Sequence, residues 1–283
     1  MEVGEIRWYG RTLSKELKDL MVLFISDLHY GNPNCSVKHF LRTVEYIKNN
    51  ENAYCFLNGD LCESALKTSK GDIYKQVGSP DDQKKQVTEW LLPIKDKVLG
   101  MTTGNHEARI SEIAGVDISG YIAEQLNVPY RPEGLLFKLS FGDNSNRTKG
   151  QPEVFWVYMS HGYGGARTKA SKAVKVERMS TWIHADCYAM SHDHVVNAAP
   201  DIYLMPDNRG TVDKKTGFTS GKVTAHREML IKTAAYLKWG GYSEMGGFPP
   251  SDLTTPVTFF LTPGSDKWSM FPDKPRKAVR VVV

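Results

Sequence analysis

The sequence predicts an α/β protein. Short apolar runs alternate with longer stretches of helical spacing, and the apolar runs end on Asp, Asn or His beside small residues. The first run, Met21–Ser26 (MVLFIS), is rich in strand formers and ends at Asp27. Ser36 is the N-cap of a helix predicted over 36–50, with Phe40, Val44 and Ile47 at helical spacing. A second run, Tyr54–Leu57, ends at Asn58-Gly59-Asp60. Residues 64–82 mix Lys, Ser, Gly and Pro without a period and read as a loop or lid. The stretch 82–98 places Val87, Trp90, Leu91 and Ile94 on one helical face, with Pro93 set to kink it. A third strand over 98–103 runs into Gly104-Asn105-His106-Glu107.

Further strands are predicted over 134–141, 154–160 and 187–191. The polar, turn-rich stretch 142–151 reads as a hairpin connection, and 168–183 as a helix carrying basic residues. Beyond residue 200 the pattern weakens into interleaved Gly, Pro and aromatic residues. We expect one domain over 1–283, with its motifs between about 20 and 200 and the remainder completing the sheet or forming a C-terminal extension. The first part of that remainder is expected to close the core and the Pro-rich part to lie on the surface.

The 283 residues include 36 Lys and Arg against 32 Asp and Glu, a net charge of +4 that permits an anionic substrate without demonstrating one. Four cysteines (Cys35, Cys55, Cys62 and Cys187) are too sparse for a disulfide framework and fit reduced thiols. The first twenty residues lack the apolar segment of a signal peptide, and no apolar run approaches the ~20 residues of a membrane span. A cytoplasmic protein without a membrane partner is the expectation.

Five groups fall at the ends of predicted strands: Asp27-Leu28-His29, Gly59-Asp60, Gly104-Asn105-His106-Glu107, Ser160-His161-Gly162 and Ser191-His192-Asp193-His194. Ligands of open α/β sheets collect outside the carboxyl ends of strands, where residues distant in sequence converge. Carboxylate, imidazole and amide oxygen suit first-row divalent metals. In extended backbone, Asp27 with His29 and His192 with His194 would each point to one side. Gly59 and Gly104 would let the chain turn sharply. Each group is weak alone; order, spacing and strand-end placement together make the case.

The ordered set resembles the calcineurin-like metallophosphoesterase family over residues 27 to 194, with Ser191 standing where that family usually has Gly. The resemblance implies a four-layer α-β-β-α sandwich and two divalent metal ions. One would be held by Asp27, His29, Asp60 and His194, and the other by Asp60, Asn105, His161 and His192. Mn²⁺ is the working choice of metal, with Fe, Zn and Ni open. It also makes His106 the candidate general acid and a metal-bridging hydroxide the nucleophile. Two such ions carry +4 against −2 from Asp27 and Asp60, and the residual charge attracts a phosphate ester and acidifies water.

Glu107 is a candidate partner for a liganding imidazole, and Arg109, Arg167 and Lys169 are candidate phosphate contacts. Trp239, Tyr242 and Phe248 are candidates for stacking on a base, although aromatics that seal a core edge are commoner. The protein-phosphatase branch of the family follows Gly-Asp with an Arg-bearing stretch. Here Leu61-Cys62-Glu63-Ser64 follows Asp60, and an inward Glu63 would repel a dianion. The reading is therefore a phosphodiesterase, with a nuclease among the options. The basic stretch 168–178 fits a nucleic-acid substrate or a solvated helix face. A phosphomonoesterase acting on a metabolite or phosphoprotein and a non-catalytic metal-binding scaffold are the alternatives. Oligomeric state is open.

Overall fold

The computed structural model describes residues 6–67, 69, 73–142, 151–165, 168–241, 244, 247, 250, 253, 256–263 and 277–282. The chain enters through β1 (Trp8–Thr12) and β2 (Leu20–Ile25), then α1 (Val37–Asn49), β3 (Ala53–Asn58), α2 (Pro80–Leu91) and β4 (Val98–Thr102). Two helices, α3 (Asn105–Ala114) and α4 (Ile118–Leu126), lead to β5 (Leu135–Phe141) and β6 (Glu153–Ser160). Then come α5 (Lys169–Ser180), β7 (Cys187–Met190), β8 (Asn197–Val212), β9 (Thr219–Lys232), β10 (Thr258–Thr262) and β11 (Ala278–Val282).

The strands form two sheets, one in the order β11-β10-β2-β3-β4 and the other β1-β5-β6-β7-β9-β8. In the first, β2, β3 and β4 run parallel. In the second, β6, β7 and β9 run parallel. The strand β2 is buried on both faces. Its Leu20, Val22 and Phe24 enter the core between the sheets, while Met21, Leu23 and Ile25 face the layer formed by α1 to α4. Aromatic rings fill much of the inter-sheet core: Phe24 stacks on Phe56 at 5.6 Å, and Phe56 meets Phe137 edge-on at 5.2 Å. On the far face α5 packs Val176 and Met179 against Tyr188 and Leu230. The result is the four-layer α-β-β-α sandwich that the resemblance implied.

Local signals account for the helix ends. Ser79 and Asp82 form a reciprocal capping box, and Pro80 occupies the first turn, so α2 starts two residues before the predicted 82. Pro93 stops the helix rather than kinking it: α2 ends at Leu91 and a 3₁₀ turn spans Leu92–Lys97.

The chain beyond residue 200 contributes to both sheets. Met229 and Ile231 of β9 and Phe259 and Leu261 of β10 lie in the inter-sheet core. The outer halves of β8 and β9 are largely exposed on both faces, so the hairpin extends past the core. Pro200 and Pro206 sit in β8, an edge strand, where a missing N–H is tolerated. Residues 143–150 of the predicted hairpin connection lie outside the described residues, but β5 and β6 do pair antiparallel.

Candidate metal centre

Five strand ends carry the chemistry. Asp27 and His29 follow β2, Asp60 follows β3, Asn105 begins α3 after β4, His161 follows β6, and His192 and His194 follow β7. Because these strands are parallel within each sheet, their carboxyl ends lie on one edge of the sandwich. There Asp27, His29 and His194 bring potential ligand atoms within 4.8 Å of one another, and so do Asp60, His161 and His192. His29, Asp60 and His106 make a third group of the same kind.

The backbone achieves this in an unexpected way. Asp27 (φ 49°), His29 (50°), Asp60 (52°), His192 (70°) and His194 (53°) all adopt left-handed conformations. The extended Asp-x-His and His-x-His geometry expected from sequence is thus replaced by tight turns. Left-handed backbone costs a non-glycine residue roughly 1–2 kcal/mol, and such residues cluster at functional sites. Nor do the paired histidines act side by side: His194 joins the Asp27 group and His192 the Asp60 group.

Gly59 and Gly104 are needed for close approach. A Cβ on Gly59 would lie 2.5 Å from the Gly104 nitrogen, and one on Gly104 would lie 2.1 Å from both the nitrogen and Oδ1 of Asp60. The two loops interlock with no room for a methyl group.

Hydrogen bonds fix the rings. His161 Nδ1 donates to the Asn58 carbonyl at 2.7 Å, which turns Nε2 toward Asp60 Oδ2, 3.1 Å away. His29 Nδ1 donates to Glu63 Oε2 at 3.2 Å, turning its Nε2 toward His194 Nε2, also at 3.2 Å. His192 lies between Asn105 Oδ1, 2.7 Å from its Nδ1, and the Gly164 carbonyl, 2.9 Å from its Nε2. Burial and the neighbouring His161 hold His192 below the usual histidine range, hence neutral. A neutral imidazole can donate to only one of those two oxygens, so the other contact sets acceptor against acceptor.

The site's charges are mutually dependent. Desolvation opposes ionisation of Asp27, but the facing His194 and His161 outweigh it and hold the carboxyl at about 2. Asp60 also lies well below the carboxylate range, because His161 and His106 overcome its burial. Burial alone would depress His161, yet Asp60 and Asp27 push it up to about 10. Burial and the nearby His106 depress His29.

The residues fit a cation. Asp27 Oδ1 and His161 Nε2 are buried and make no well-formed hydrogen bond, although His194 Nε2 lies 3.2 Å from the first and Asp60 Oδ2 3.1 Å from the second. Unsatisfied buried polar atoms are rare in folded proteins and call for an ion or water. Together with the acceptor conflict at His192, they mark two positions short of positive charge.

The family model for calcineurin-like phosphoesterases matches residues 20–196, from β2 to just past His194. The chain belongs to that family. No curated protein matches it significantly. Solved structures similar to it include a conserved protein from Streptococcus pneumoniae titled a predicted phosphoesterase, at 10% identity, covering 94% of this chain and 90% of that one, with a TM-score of 0.37. A Vps29 single mutant from Entamoeba histolytica aligns at 13% identity over 86% of this chain and 85% of that one, TM-score 0.39. Vacuolar Protein Sorting 29 from Cryptosporidium parvum aligns at 12% identity over 93% and 98%, TM-score 0.37.

Residues around these candidate ligands take roles that sequence did not reveal. Glu107 serves no imidazole; its carboxylate accepts the backbone N–H groups of Asp60 (3.0 Å) and Cys62 (2.8 Å), fixing the turn after β3. Glu63 is buried against His29, and its oxygen lies 3.7 Å from His106 Nδ1. His106 Nδ1 donates to the Glu63 carbonyl at 2.8 Å, leaving Nε2 as the ring's remaining polar atom. Asn58 ties the two sheets together, donating to the Ser160 carbonyl (3.0 Å) and to Ser191 Oγ (2.6 Å). Ser191 is therefore more than a small residue at a turn.

Arg109 donates to Ser69 in the segment between β3 and α2. Arg167, Tyr242 and Phe248 lie outside the described residues. Trp239 is half exposed. The four cysteines are unpaired. Among the described residues, no helix is long and apolar enough to cross a membrane. The basic stretch divides: Lys169 and Arg178 are exposed, whereas Lys172 and Lys175 are not part of a solvated face. Both are buried in α5 and bond to Asp193.

Proposed function

We propose that the protein hydrolyses phosphate diesters with two divalent cations. Asp27, His29, Asp60 and His194 would hold one, and Asp60, Asn105, His161 and His192 would hold the other. The observation that carries this reading is the convergence of two groups of candidate ligands at one sandwich edge, with Asp27 Oδ1 and His161 Nε2 buried and without a well-formed hydrogen bond. Such a pair of cations supplies Lewis-acid activation of water and neutralises phosphoryl charge. Mn²⁺ is the working choice of metal, with Fe, Zn or Ni alternatives that the imidazole donors also suit.

The chain's own groups do the rest. His106 offers Nε2 as the proton donor to the leaving oxygen, its other nitrogen being engaged by the Glu63 carbonyl. Glu63 keeps its negative charge, because the bond from His29 overcomes its burial and holds it at about 2. A carboxylate beside His106 disfavours the second charge of a phosphomonoester more than the single charge of a diester. No Arg lies between Asp60 and Ser79 to grip such a dianion. Nucleic acids are one diester class compatible with this centre.

The test compares metal-loaded and metal-stripped protein on bis(p-nitrophenyl) phosphate and p-nitrophenyl phosphate. Faster metal-dependent cleavage of the diester is expected. Faster cleavage of the monoester would select a phosphomonoesterase, and metal uptake without cleavage of any ester would select a binding scaffold.

A further inference from the structure

Asp193 separates the two histidines of the His192-x-His194 turn, and its side chain is 3% exposed. Three lysines converge on it. Lys232, fully buried in β9, reaches Asp193 Oδ2 at 2.7 Å and also donates to the Ser191 carbonyl at 2.7 Å. Lys175 reaches Asp193 Oδ1 at 2.9 Å and the Tyr163 carbonyl at 2.7 Å. Lys172 donates to the backbone carbonyl of Asp193 at 3.1 Å. One carboxylate thus meets two ammonium groups in the protein interior while a third holds the same residue's backbone, an arrangement that a hydrophobic core of the same volume would make unnecessary for stability alone.

We propose that Asp193, Lys232, Lys175 and Lys172 form a positioning clamp that sets both metal positions at once. This inference rests on the ligand reading given above. The geometry supplies the reason. His192 and His194 both have left-handed backbone, so this turn does not hold its shape through local preference. The clamp grips it from behind at three points: the Ser191 carbonyl, the Asp193 carbonyl and the Asp193 carboxylate. His192 belongs to the Asp60 group and His194 to the Asp27 group. A rotation of the turn therefore misplaces one ligand in each. Lys175 extends the grip to the loop after His161, through Tyr163, next to the Gly164 carbonyl that orients His192.

The clamp makes a prediction opposite in sign to simple electrostatics. Removing a lysine from the surroundings of a cation site removes repulsion and should tighten metal binding. If the lysine positions ligands, its loss weakens binding instead. Groups that orient metal ligands typically change affinity by about 10–100-fold when lost.

The experiment titrates Mn²⁺ into metal-free wild type, Lys232→Met, Lys175→Gln and Asp193→Asn by calorimetry, with thermal melts of each metal-free protein. Lys175, at the partly accessible edge of the cluster, is the variant best placed to fold if Lys232→Met does not, and Lys175→Arg is its charge-conserving rescue. The expected result is a loss of about 10–100-fold at both metal positions for Lys232→Met and Lys175→Gln, with Lys175→Arg recovering most of it. Affinity unchanged or raised in a folded lysine variant would overturn the clamp, as would a loss confined to one position. Wild-type protein that takes up no Mn²⁺ would overturn the ligand reading itself, and the clamp with it.

Discussion

Gly104→Ala is a single added methyl group aimed at Asp60, the proposed shared ligand. Gly104 has φ −100° and ψ 171°, ordinary backbone for alanine, so conformational strain is not the issue. The new Cβ would lie 2.1 Å from the nitrogen and Oδ1 of Asp60, against the 3.4 Å at which ordinary contact begins, so the two must part by about 1.3 Å. Neither side yields easily. The Asp60 nitrogen is held by Glu107 and its Oδ1 by the His106 backbone N–H at 2.8 Å. Forcing an extra methyl into packed structure costs about 1–3 kcal/mol, and a misplacement of about 1 Å in catalytic geometry costs on the order of 10²-fold in rate. The assay pairs Mn²⁺ titration with kcat for bis(p-nitrophenyl) phosphate. Gly115→Ala is the control, since Gly115 has φ 67° but no atom within 4 Å of the added carbon. It should lose some stability while keeping metal uptake. Gly104→Ala with wild-type affinity and turnover would refute the interlocked-loop account.

Three further outcomes follow from the same geometry. Asp60→Asn should lower occupancy of both metal positions, and two full equivalents with normal turnover would contradict a shared Asp60. His106→Ala should leave metal content intact and lower kcat by roughly 10²–10⁴ on esters with poor leaving groups. The loss should be smaller with a nitrophenolate leaving group, and equal losses would argue for charge stabilisation over proton donation. In metal-free protein His161 is raised from an ordinary 6.5 to about 10. Its contribution to stability is therefore fully present below about pH 6.5 and fades as pH rises through about 10. A cation must displace that proton, so binding at pH 8 should release about one proton and tighten with rising pH. Calorimetry in buffers of different ionisation enthalpy reads this directly, and a buffer-independent enthalpy would contradict it.

The residues of the candidate site were legible because each follows an apolar strand core. Such runs, bounded by Gly, Asp and Asn, are the clearest signal that β2, β3, β4, β6 and β7 could leave. The signal failed where apolar periodicity was absent. The strands β8 and β9 are exposed over their outer halves, and Pro200, Pro206 and Gly210 interrupt β8, so nothing marked a strand. The helix α3 begins within the motif Gly104-Asn105-His106-Glu107 and buries only Glu107 and Ile110, too few to leave an apolar period. The left-handed turns at Asp27, His29, Asp60, His192 and His194 had no signal, because sequence marks such backbone chiefly through Gly. Lys172 and Lys175 read as surface because lysine almost always is. Their partner Asp193 lies well downstream in sequence, and only the fold brings the three together.

The central claim is that seven residues from five strand ends hold two cations. Anomalous diffraction at the manganese edge, on crystals of Mn²⁺-loaded protein, tests it most directly. The account predicts two peaks, one among Asp27, His29 and His194 and one among Asp60, Asn105, His161 and His192, with Asp60 reaching both. A protein that binds Mn²⁺ elsewhere, or shows no peak at these residues when saturated, would contradict it.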